Sequence, residues 1–184
     1  MVAKRPTSGR MLETRVKTFD GSAGTGSVVI NEVDDITLGD LSSGTFVTVN
    51  AGASITLDGQ LSAGTGVSLA AGNRISTTTQ GRVIGEDLAA TAVSGIALNP
   101  DVDSVSASVT GAGALSITEF DALSLTATTA GGAILVSAGG ALGVGLSREL
   151  VNGGGVGVRI RGNNPRRAGG DTQADRIEEL ALEA

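Results

Sequence analysis

The 184-residue chain predicts an all-β fold, a parallel β-helix (solenoid) of about six coils. Three observations carry that reading. Apolar triplets with a polar centre recur every 19–20 residues. The composition suits a narrow tube, and glycine punctuates the strands while proline is almost missing from them.

The triplets come in two series. Val28-Val29-Ile30, Val47-Thr48-Val49 and Val67-Ser68-Leu69 form the first, at offsets of 19 and 20. Ile36-Thr37-Leu38, Ile55-Thr56-Leu57 and Ile75-Ser76-Thr77 form the second, at the same offsets. Both return later, from Leu115-Ser116-Ile117 to Ile134-Leu135-Val136 and from Leu123-Ser124-Leu125 to Leu142-Gly143-Val144, each 19 apart. Each unit therefore carries two short period-2 strands, and stacking the units buries the apolar face while pairing each backbone with the next. Ile30, Leu38, Val49, Leu57 and Leu69 are the expected inward residues.

Composition supports this. The chain has 29 Gly, three Phe, and no Cys, His, Trp or Tyr. Its core must come from aliphatic side chains and Ala, which fits a thin tube better than a β-sandwich filled by aromatics. Glycines serve the corners. Pro100 is the one proline of the body, as expected where strands lie inside a continuous ladder.

Four regions follow. Residues 1–14 read as a basic tail and 15–147 as the repeat body. Residues 148–171, rich in Gly and Arg, read as a linker, and 172–184 as a short helix or tail with Thr172 and Asp175 in a capping box. A longer period overlies the short one: VVINEVDDITL (28–38) aligns with LSITEFDALSL (115–125) at an offset of 87, placing Glu32 on Glu119 and Asp34 on Asp121. The super-repeat comprises about four units.

The runs SVVINEVDDITLGDLSSGTFVTVNAGASITLDGQLSAG and VDSVSASVTGAGALSITEFDALSLTATTAGGAILVSAGGAL resemble filamentous haemagglutinin-type repeats of large bacterial adhesins and exoproteins. The resemblance covers residues 15–147. It implies a right-handed parallel β-helix, secreted or at the bacterial cell surface as part of a longer protein. Host or cell-surface glycans or proteins would be its partners. The chain itself has no signal peptide, secretion domain or Arg-Gly-Asp motif, so a fragment of a longer protein is expected.

Charge and missing residue types narrow the chemistry. The net charge is −6, and the stretch 18–147 holds twelve acidic residues against Arg74 and Arg82. Such a body repels phosphate backbones, so nucleic acid is not an expected partner. Without His and Cys, neither a Ser-His-Asp triad nor an ordinary zinc site can form. No apolar run is long enough for a membrane span. Glu32, Asp34, Asp35, Glu119 and Asp121 are the residues best suited to chemistry, as a glycosidase-like carboxylate pair or as calcium ligands. Their recurrence points instead to structure, with Asp accepting backbone hydrogen bonds in the turn. The expectation is a monomeric structural or adhesive segment, not an enzyme, with no catalytic residue, cofactor or metal. The alternatives are a carbohydrate-active β-helix fragment and a calcium-stabilised solenoid.

Overall fold

Alternation of apolar and polar residues puts one face of each triplet in the dark and the other in water. A computed structural model describes residues 11–14, 16–148 and 158–162, and in it the chain winds into stacked coils of parallel strands, about six turns in all. No helix occurs among the described residues. The segment 172–184, expected as a helix or tail, lies outside them.

Two walls run the length of the stack. The front wall stacks Val28–Glu32, Phe46–Ala51, Gly66–Ala71, residues 87–92, residues 104–109 and Leu123–Thr129. The back wall stacks residues 36–38, Ile55–Leu57, Arg74–Thr77, Gly95–Leu98, Leu115–Glu119 and Ile134–Ala138. In the back wall Ile36, Ile55, Ile75, Ile96, Leu115 and Ile134 fall in register as one inward column, each at most 3% exposed. The five residues expected to point inward, Ile30, Leu38, Val49, Leu57 and Leu69, are all buried. Burying one such side chain stabilises by about 1.5–3 kcal/mol, so an in-register column is the main cohesive element of each wall.

A third, narrower side wall was not foreseen. It stacks residues 41–43, Gln60–Ala63, residues 82–84 and residues 100–102, with Leu41, Leu61 and Val83 inward. Their spacings of 20 and 22 residues were a usable signal. The coils up to Val102 thus have three walls. Beyond it, Leu115–Glu119 turns directly into Leu123–Thr129 and the coil has two.

Three sequence expectations need correcting. Met11–Thr14 and Val158–Gly162, read as tail and linker, are strands that pair with Val28–Glu32 and Ile134–Ala138. The super-repeat is not about four units long. Four coil steps carry Val28 through Val47, Val67 and Leu88 to Val105, and Leu115 stands half a coil further on. The period is therefore four and a half coils, and its two copies sit on different walls: Val28–Glu32 on the front, Leu115–Glu119 on the back. Finally, the main acceptor in the shared corner is Glu, not Asp, as the corner geometry below makes clear.

Candidate functional site

The phrase containing Glu32 and Glu119 ends one strand with an inward-turned glutamate and then reverses into the next wall. Both side chains are buried, at 5% and 3% exposure. A buried carboxylate must be satisfied, and each takes two backbone donors. Glu32 accepts the N–H of Val33 and, from the coil below, that of Val16, both at 3.0 Å. Glu119 accepts the N–H of Phe120 at 2.8 Å and, from the coil below, that of Val102 at 3.4 Å.

The next coil repeats the correspondence. Gly52 and Ala53 donate to the carbonyls of Glu32 and Asp34, as Gly139 and Gly140 do to those of Glu119 and Asp121. Asp34 and Asp121 thus serve through their main chains, and their exposed side chains do not hold the turn. Asp35 does accept a backbone hydrogen bond through its side chain, from Ser54 N–H at 2.8 Å. Related inter-coil bonds run along the back-to-side corner: Asp20 accepts from Asp40 N–H and Asp40 from Gln60 N–H.

The structure gathers the remaining chemistry at one place, the step where the side wall ends. Asp101, Glu119 and Asp121 each place a carboxylate oxygen within 4.8 Å of the others'. Arg82 binds Asp101 at 2.8 Å and lies 5.3 Å from the centre of the Phe120 ring, which is 75% exposed. An open groove of about 410 Å³ runs beside them, lined by Thr79, Gln80, Arg82, Asn99, Pro100 and Phe120. Asp101, Arg82 and Phe120 were not singled out from the sequence. Arg82 and Phe120 are 38 residues apart, and only the summed lengths of the intervening coils bring them together. Glu32, Asp34 and Asp35 sit on the opposite, front-to-back corner and do not join the group.

The step also has an edge problem. Val83 N–H bonds the carbonyl of Asn99, so strand alternation turns the main-chain groups of Pro100 and Val102 upward, where the side wall has no further strand. Pro100 has no N–H to leave open, and Val102 gives its own to Glu119. The Glu119 carboxyl is pushed up to about 7, first by burial and then by Asp121 and Asp101, against the opposing pull of its two backbone donors.

Chemically, three carboxylates this close could bind a cation, and a protonated acid beside carboxylates is the equipment of a glycosidase. Both oxygens of Glu119 are nevertheless engaged by the backbone, and the side chain barely meets solvent. Comparison with known proteins finds no matching family model, no matching curated sequence and no matching solved structure. No helix among the described residues is long and apolar enough to cross a membrane.

Proposed function

We propose that this chain is a structural, adhesive spacer: a length of rigid solenoid within a larger secreted or surface-exposed bacterial protein, without turnover of its own. One observation supports the reading above others. The side chains best suited to chemistry, Glu32 and Glu119, are spent on holding successive coils together through backbone N–H groups. The resemblance of 15–147 to filamentous haemagglutinin-type repeats supports the exported setting. Partners would be glycans or proteins met by the full-length molecule, with this segment acting as a monomeric spacer.

The enzyme alternative draws on the groove beside Glu119, so one assay separates the two. Incubation with a panel of uronic and neutral polysaccharides, read for reducing ends and unsaturated products, is expected to yield none. Product that disappears in Glu119→Gln would overturn the spacer reading. The exported setting is tested by the flanking coding sequence, where a continuous reading frame carrying a secretion signal is expected.

A further inference from the structure

We propose that the step at Glu119 is a proton-binding site that governs how firmly the two-walled coils sit on the three-walled ones. The inference goes beyond the spacer reading and does not depend on it.

Placement carries the argument. The side wall stops at Val102, and above it stands a side chain instead of a strand. Glu119 reaches across the gap to take the Val102 N–H with one oxygen and holds its own corner through Phe120 N–H with the other. The carboxyl is thus a bracket between coils, 3% exposed.

Among the described residues, the charged groups around it are few. Asp101 faces it from the coil below and Asp121 from its own corner, with carboxylate oxygens of all three within 4.8 Å. Asp103 lies two residues along the strand of Asp101 and is exposed. Arg82 is the nearby cation, and its charge is already committed to Asp101 at 2.8 Å. An ionised Glu119 is therefore a buried negative charge beside two others with one cation among them.

A single proton from solvent relieves this. It adds to one Glu119 oxygen, which keeps a lone pair for the backbone donor, and the new O–H points toward carboxylates. The Asp121 carboxylate is exposed and without a hydrogen-bond partner among the described residues, so it can turn to accept. Beyond the new O–H bond, no covalent bond forms or breaks.

The sign follows from the carboxyl being pushed from its ordinary 4.5 to about 7. The folded chain holds this proton more tightly than the unfolded chain does. The stability it contributes is full below pH 4.5, falls as pH rises toward about 7, and is lost above that. The joint between the two coil types is expected to be firm in mildly acidic surroundings and looser at or above neutrality.

The test compares thermal melts of the wild type, Glu119→Gln and Asp121→Asn from about pH 4.5 to about pH 8, with a carboxyl-carbon NMR titration of Glu119 in the folded chain. The wild-type melting temperature is expected to fall by several degrees across the range. Glu119→Gln should flatten that fall. Asp121→Asn alters an exposed side chain and should fold normally, while moving the Glu119 midpoint to lower pH. Equal pH slopes in wild type and Glu119→Gln would overturn the proposal. So would an NMR midpoint in the ordinary carboxylate range, or one that Asp121→Asn leaves in place. Should Glu119→Gln fail to fold, the NMR titrations of the other two proteins decide.

Discussion

Leu57 and Thr56 are neighbours in one three-residue strand, yet they face opposite media. Leu57 is fully buried between Leu38 and Thr77, whereas Thr56 lies outward between Thr37 and Ser76. Leu57→Asp places an unpaired charge in a tube filled by aliphatic side chains, at a cost on the order of 4 kcal/mol or more. Thr56→Asp should cost about half a kcal/mol. Circular dichroism melts of the two variants make the comparison, and equal damage would mean that the inside–outside assignment is wrong. This pair was legible in the sequence because strand alternation has a strict period of two, so one correctly placed triplet orients its neighbours. The role of Glu119 was legible only in part. Its recurrence with Glu32 was plain, but nothing in a linear string says that its acceptor oxygens meet a donor 17 residues back.

At the scale of the element, the corner is the unit that demands particular residues. Gly52 and Gly139 stand at equivalent corners, and a Cβ on either would run into the backbone of the coil below, at the carbonyl oxygens of Val33 and Phe120. A Cβ on Gly143, on a strand, would meet only the Leu123 carbonyl oxygen, at an ordinary contact distance of 4.0 Å. Gly139→Ala should therefore cost about 1–3 kcal/mol through forced displacement of backbone, while Gly143→Ala should change stability by less than about half a kcal/mol. Chemical denaturation of the two proteins measures the difference, and an equal effect would refute the close-packed corner. The side wall escaped the sequence reading for reasons at this same scale. Ile36–Ser43 runs without a break from back wall to side wall, so a single strand carries two faces. Coil length also varies: successive front-wall steps from Val28 to Leu125 are 19, 20, 21, 17 and 20 residues. A fixed-period search finds the two regular walls and blurs the wall that absorbs the variation.

For the molecule as a whole, stacking makes stability a local sum. At the ~4.8 Å spacing of paired strands, six coils rise about 30 Å, and each touches only the coils next to it. The central coils have neighbours on both sides and the terminal ones on one. Amide hydrogen exchange should be slowest in the back-wall strands around Ile55, Ile75 and Ile96, and faster toward Phe19 and Ile134. Uniform protection from end to end would contradict nearest-neighbour stacking and point to a single cooperative unit. Charge is distributed just as unevenly. Between Val29 and Thr128 the outward residues of the front wall are uncharged apart from Asp87, including Thr48, Ser68, Ser106 and Thr126, while Asp20, Asp40, Asp58, Asp101 and Asp103 follow the side wall and its margins.

The half-integer period has a geometric consequence. A motif repeated after a whole number of turns would form a single stripe down one flank. Repeated after four and a half, it alternates between flanks, as steps do on a spiral stair seen from two landings. Any continuation of the same period would set glutamate corners left and right in turn, so such a rod would present the same feature to both sides. It also means that the bend, and not the full turn, is the unit that recurs. A duplicated block need not close a complete revolution to fit, because a strand–Glu–strand bend joins front to back as readily as back to front.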